Sequence, residues 1–254
     1  KRYSVAGIVP EILDLKYLFI ETNSKVYYNT NLAPSASFVS TKVQRDLTTY
    51  AESSELNKYG ARFKYSRFLK VIDSSHESVT SNITTVEMRR DLRLAVSEVA
   101  EYAIDFGNEF HVQSMNGFNI RSSAFRVLNI NTDVYLYDVP DPTAEKGQIS
   151  LFSLDEGSST PVIQRRNIGV IDYKKGRITL DPINIVSGKT KDNVDILEIS
   201  ATPESNDIIG LQDLYLQLDS SFVDMVVDEI SSGADPSGST YTVTTSYKNG
   251  NIIR

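Results

Sequence analysis

With 254 residues, a net charge of −7 from 33 Asp plus Glu against 26 Lys plus Arg, and no cysteine, the chain excludes several function classes at once. An acidic chain offers no basic field for the counterion release that drives nucleic-acid binding, so neither DNA nor RNA is expected as a ligand. Without cysteine there is no disulfide, thiol nucleophile or thiolate zinc site, as in proteins folded in a reducing compartment, and stability rests on packing. A chain of this length buries roughly three quarters of its unfolded surface, which suffices for a real core. No apolar run approaches the ~20 residues that span a bilayer, and Lys1-Arg2-Tyr3-Ser4 leads into no signal-peptide core, so no membrane partner is expected. The chain starts without Met, directly in strand-like sequence, and reads as part of a longer polypeptide.

In chain order, Tyr17-Leu18-Phe19-Ile20-Glu21 and Lys25-Val26-Tyr27-Tyr28 have the aromatic and β-branched composition of strands, forming a hairpin or one long bent strand. After Pro34, Ser35 or Ser37 caps a helix whose Val39, Val43, Leu47, Tyr50 and Ala51 fall on one face, leaving Lys42, Arg45, Asp46 and Glu52 in water. Tyr59-Gly60 supplies a tight reversal. Ser66 is expected to cap a short helix through Phe68, Leu69 and Ile72, and the alternation from Thr84 to Arg90 predicts a strand.

Beyond Ala103 the signals are mainly β, with runs at Asn119–Arg121, Phe125–Leu128, Val134–Tyr137, Ile149–Phe152 and Ile196–Ile199. Ile168 to Leu180 reads as a hairpin around a four-residue turn closed by Gly176, and Leu214–Leu218 as a last core strand. The fold expected is α+β: a small sheet covered by two helices in strand-helix-helix-strand order over 1–100, then a mainly antiparallel β module over 101–227. Residues 228–254 read as a flexible linker, Ser231 to Gly238, and a strand-like tail through Tyr241, Val243 and Tyr247. That tail is expected either to stay disordered or to add a strand to a partner's sheet.

Candidate chemistry weakens motif by motif. Asp105-Phe106-Gly107 spells the metal-binding tripeptide of protein kinases, but the glycine-rich loop, strand lysine and catalytic loop are missing, so it reads as a turn. Ser187-Gly188-Lys189-Thr190 resembles the end of a phosphate loop, yet Ile183 stands where its first glycine belongs; a polar hairpin loop is expected. Asn82-Ile83-Thr84 is a glycosylation sequon without a secretory context, read as the start of a strand. His76 and His111 have no ligand at metal spacing. Asp138 to Glu145 lacks the spacing of a calcium loop and reads as solvated. Paired acids such as Asp172 and Glu198 leave a polysaccharide hydrolase open, without singling out a pair. The groups Arg89-Arg90-Asp91-Leu92-Arg93 and Arg165-Arg166 read as solvated strand faces or interface rims. No cofactor and no catalytic or metal site is expected.

Val26-Tyr27-Tyr28-Asn29, the helix from Ser35 to Glu52, Leu56 to Ser66 and Ser81-Asn82-Ile83-Thr84-Thr85-Val86, in that order, resemble the large ring-forming baseplate wedge subunit of T-even-type contractile-tail bacteriophages. The order is also similar to that of J-type baseplate proteins. The likeness continues through Ile104 to Glu109, Gly169 to Gly176 and Ala201 to Ile209, and so covers most of the chain to about residue 220. The resemblance implies a non-enzymatic structural subunit whose C-terminal portion forms a homodimer within each wedge and helps form the ring around the tail tube. It implies contacts with other wedge subunits and the sheath-initiating region, in a virion tail baseplate assembled in the host cytoplasm.

Fourteen tyrosines and no tryptophan provide amphipathic side chains suited to such interfaces. The interface candidates are Tyr135, Tyr137, Tyr241, Val243 and Tyr247. Tyr135 and Tyr137 alternate on one strand face, which keeps a glycan- or receptor-binding module as the alternative reading.

Overall fold

The computed structural model describes residues 16–56, 58–155, 157, 160–211 and 214–233, together with the short strand pair 247–248 and 251–252. The first half of the chain supplies β1 (Lys16–Tyr28), α1 (Ala36–Ala51), β2 (Arg62–Phe63), α2 (Tyr65–Asp73), β3 (Val79–Arg93), β4 (Val99–Asp105), β5 (Ile120–Ser122) and β6 (Arg126–Val127). The second supplies β7 (Tyr135–Pro140), β8 (Lys146–Leu154), β9 (Pro161–Asp172), β10 (Arg177–Ser187), β11 (Lys189–Lys191), β12 (Val194–Ala201), β13 (Ile208–Ile209), β14 (Leu214–Val227), α3 (Glu229–Ser232), β15 (Tyr247–Lys248) and β16 (Asn251–Ile252). The fold is rich in β-structure.

Two six-stranded sheets carry it, one in the order β11-β12-β3-β1-β14 with β5 on β12, the other β4-β10-β9-β8-β7 with β6 on β10. The first takes β1 and β3 from the first hundred residues and its other strands from beyond them. The apolar side chains of both sheets and of α1 and α2 form one buried cluster.

β1 is a single 13-residue strand. Its even-numbered residues Leu18, Ile20, Thr22, Ser24, Val26 and Tyr28 are all buried, because α1 and α2 lie over that face. α1 buries Val39, Val43, Leu47 and Tyr50, at helical spacing, and Ser35 caps it by accepting from the Phe38 N–H at 3.2 Å. Each such side chain stabilises by roughly 1.5–3 kcal/mol.

Three expectations are corrected. Ser66 does not cap α2: it sits within the helix, and the carboxylate of Asp207 accepts the Tyr65 N–H at 2.8 Å instead, an acceptor 142 positions away that local reading does not reach. The last strand runs to Val227, and Asp228 then caps α3 by accepting from the Ser231 N–H, so the stretch read as linker begins with a helical turn. Asp138 is not solvated; β7 continues through it to Pro140, and the carboxylate is fully buried. Pro140 is tolerated because β7 is a sheet edge, where a missing N–H need not face a neighbour.

β14 pairs parallel with β1, and one extra residue on β14 interrupts the register between Ile20 and Glu21. Ile20 pairs with Leu218 and Glu21 with Ser220, leaving Asp219 as the bulged residue. The bulge inverts the alternation: Leu214, Leu216 and Leu218 share the helix-covered face with Val223 and Met225. It also sets Asp219 to point to the opposite face.

Candidate functional site

That opposite face of the first sheet is where the ionisable side chains converge. Arg89 on β3 is 6% exposed, and its guanidinium donates to Glu21 Oε1 at 2.7 Å, Asp91 Oδ1 at 2.5 Å, Glu198 Oε1 at 3.4 Å and Asp219. It lies 4.4 Å from the centroid of the Phe19 ring, which Lys191 approaches to 5.0 Å. Lys189 donates to Glu198 at 2.7 and 2.8 Å, and Lys191 to Asp91 at 2.9 Å. Burial pulls the Arg89 guanidinium down, but Asp91, Glu21 and Asp219 outweigh it and hold it above its ordinary value. Four carboxylates on three cations make a saturated ion-pair lattice that joins β1, β3, β11, β12 and β14. Every charge in it has a partner within the lattice, so the arrangement cross-links five strands of the sheet.

Further along the same face, register sets Asn23 beside Thr85 and Phe222, Lys25 beside Ile83 and Asp224, and Tyr27 beside Ser81 and Val226. Ile83 and Phe222 are 62% and 63% exposed. An open sheet face with two such apolar side chains, rimmed by one lysine and one aspartate, has the make-up of an interface centre.

The second sheet offers another surface. Phe118 is half exposed and stacks on Tyr137 at 5.0 Å, while Phe152 meets Tyr135 at 5.4 Å and Tyr137 at 5.9 Å. Tyr137 is itself buried and Tyr135 half-buried, so the outer member of the cluster is Phe118, which the sequence reading missed. Its φ of +65° hides it, because nothing in the pattern marks a phenylalanine in a left-handed loop. Beside it, Pro161 to Asn167 of β9 are exposed one after another, with apolar Val162, Ile163 and the facing Leu154 among them. Tyr241 and Val243 lie outside the described residues, and Tyr247 is described only as backbone, paired with Ile252.

The remaining candidates resolve into structure. Asp105 is held bidentately by Arg177, Phe106 is fully buried, and Gly107 has a φ of +68°. Ser187 ends β10 and Lys189 begins β11, with only Gly188 between the two strands and Lys189 committed to Glu198, so no hairpin loop forms there. Asn82 lies inside β3 and donates to Asp73 Oδ1 at 2.7 Å. His76 Nδ1 accepts the Ser78 N–H at 3.1 Å, and His111 Nδ1 is 2.7 Å from Glu204. Asp172 and Glu198 stand on different sheets. Asp138 accepts from the backbone of Asn119 and Ile120, from the Asn119 amide and, at 2.5 Å, from the Tyr173 hydroxyl, a buried satisfied acceptor. Burial, and then that bond to Asp138, push the Tyr173 phenol far up. Among the described residues no group of three or more His, Asp or Glu is placed to hold a metal, and no helix is long and apolar enough to cross a membrane.

Comparison with known proteins adds two findings. The family model of the baseplate structural protein gp6, C-terminal domain III, matches residues 16–91, the stretch from β1 through α1, β2 and α2 into β3. Baseplate wedge protein gp6 of Enterobacteria phage T4 is 30% identical over 145 residues, which is 55% of this chain and 22% of that protein. The chain thus spans about a fifth of the length of that relative.

Proposed function

We propose, from the match of residues 16–91 to the family model of the baseplate structural protein gp6, C-terminal domain III, that the chain is a structural subunit of a contractile phage tail baseplate. It forms a homodimer within a wedge and helps close the ring around the tail tube. Its other partners are neighbouring wedge subunits and the sheath-initiating region, its place is the virion tail, and it is assembled in the host cytoplasm. It is not an enzyme. The observation that carries the reading is the family match over the whole β1-to-β3 stretch, the centre of the first sheet.

The geometry supports an assembly role. The ion-pair lattice around Arg89 cross-links strands of the first sheet, and the same face of that sheet presents the exposed Ile83 and Phe222. A permanent homodimer buries roughly 2,000–5,000 Å² around an apolar centre, and this face supplies such a centre. Half-buried Tyr135, with the buried Tyr137 behind it and Phe118 outermost in the aromatic cluster of the second sheet, we assign to a contact with another subunit.

Light scattering coupled to size exclusion tests the reading: the expected species has twice the 28.4 kDa chain mass. A strictly monomeric protein at micromolar concentration overturns the homodimer. The cluster of Phe118, Tyr135 and Phe152 favours one second reading, a glycan- or receptor-binding module. Saturable binding on a glycan array that Phe118→Ala abolishes would establish it.

A further inference from the structure

Lys25 and Asp224 are an exception on the open face of the first sheet. Around Arg89 the charges are matched within the chain. Lys25 on β1 and Asp224 on β14 are register partners on adjacent strands of the same face, both exposed, and among the described residues neither side chain makes a hydrogen bond or ion pair. Their setting is apolar: Phe222 and Ile83, 63% and 62% exposed, lie beside them, and Tyr27 and Val226 share the next outward row. α1 and α2 cover the other face, so this is the side on which another molecule can stack.

Two opposite charges set side by side in an apolar patch are self-complementary under a two-fold axis, the symmetry in which one patch meets its own copy. When two sheets stack face to face by such an axis, it lies in the plane between them. Laid along the boundary of β1 and β14, it exchanges the two strands. Lys25 of each copy then stands opposite Asp224 of the other and Tyr27 opposite Val226, while the two Phe222 side chains come to lie one strand spacing apart, about 4.8 Å, beside the axis. Ile83 flanks this contact from β3. An axis laid across the strands through the same row would set Lys25 over Lys25 and Asp224 over Asp224, which like-charge repulsion opposes.

We propose that Lys25 and Asp224 form reciprocal ion pairs between two copies of this chain, and that these pairs set the orientation in which the copies stack. The pairing presupposes the homodimer proposed for this chain and adds its face, its axis and its contact residues. A second copy is the occupant that the charges specify, because it presents both signs at the required spacing; a partner of one charge sign would leave Lys25 or Asp224 unmatched. Apolar contact through Phe222, Tyr27 and Val226 supplies attraction, and the ion pairs supply register.

The experiment measures the dimer dissociation constant of the full chain by sedimentation equilibrium for wild type, Lys25→Glu, Asp224→Lys and an equimolar mixture of the two variants. Lys42→Glu, exposed on α1 over the opposite face, controls for net charge. Both test positions are exposed, so the variants should keep the wild-type circular dichroism. Each single variant places two like-charge contacts in the pair and should weaken it at least about tenfold. In the mixed dimer the new glutamate faces the new lysine and the native pair closes the other site, so affinity should return to within about threefold of wild type. Lys42→Glu should match wild type. Single variants that dimerise like wild type overturn the pairing and leave the homodimer to another face. Weakened variants whose mixture stays weak overturn it too, as does an equal loss in Lys42→Glu, since the two charges then do not meet across the axis. A wild-type chain that is monomeric at micromolar concentration removes the homodimer and this pairing together.

Discussion

Replacing Arg89 by methionine tests whether the ion-pair lattice holds the first sheet together. The substitution keeps a long stem against Phe19 and removes only the guanidinium. Of the four carboxylates left behind, Glu198 keeps Lys189 and Asp91 keeps Lys191. Glu21 and Asp219 lose the cation they face, but their side chains are 29% and 37% exposed and rehydrate in part. Removing one partner of a buried ion pair costs about 3–5 kcal/mol, and the partial exposure places this case at the lower bound, about 3 kcal/mol. In urea unfolding followed by circular dichroism, an m-value of about 3 kcal/mol per M turns that loss into a midpoint about 1 M lower. Lys191→Met, whose side chain is 43% exposed, is the control and should cost under about 1 kcal/mol. A methionine variant within about 0.5 kcal/mol of wild type would refute the reasoning, because it would mean that desolvating Arg89 cancels all its pairs.

Two further predictions concern single contacts. Asp207→Ala removes the acceptor of the Tyr65 N–H and should cost about 1 kcal/mol, the usual value of a helix cap; since Asp207 belongs to no ion pair of the lattice, its effect should add to that of Arg89→Met. Tyr173 governs the alkaline limb. Its phenol is raised in the folded protein by burial and by Asp138, whereas an unfolded tyrosine ionises near pH 10. The folded state therefore keeps a proton that the unfolded state releases, so stability is intact below about pH 10 and falls above it, by up to about 1.4 kcal/mol per pH unit for this group. Tyr50, raised chiefly by burial, adds to the slope with the same sign. Tyr173→Phe should flatten the decline measured between pH 9 and 11 and cost about 1–2 kcal/mol at neutral pH, where Asp138 loses a donor. An unchanged slope in the phenylalanine variant would exclude this origin.

Local chemistry was legible where its cause was local. The face of α1 follows from the spacing of Val39, Val43, Leu47 and Tyr50, and its start from Ser35, because both are set within one helical turn. The β9–β10 turn was legible for the same reason: Asp172 pairs with Arg177 across four residues, and Gly176, at a φ of +63°, approaches Asn108 O where a side chain would collide. One signal in β14 went unused. Its apolar residues step by two through Leu214, Leu216 and Leu218 and then resume out of phase at Val223 and Met225, the mark of an inserted residue. The resemblance to a baseplate wedge subunit was likewise carried by residue order alone, and the family match falls on its first segments.

Residue type, spacing and order, then, determined the helix face, the hairpin, the absence of thiol chemistry and the family resemblance, since each depends on neighbours a few positions apart or on the chain's own text. Tertiary structure alone decided that β14 returns to lie parallel with β1, that Asp207 caps a helix 142 positions away, and that Arg89 is buried among Glu21, Asp91, Glu198 and Asp219. In sequence an Arg-Arg-Asp run reads as a wet strand face. It becomes a buried lattice because strands as far as 130 positions away bring Glu21, Glu198 and Asp219 to the guanidinium beside Asp91, and the free energy of a charge depends on what surrounds it in space.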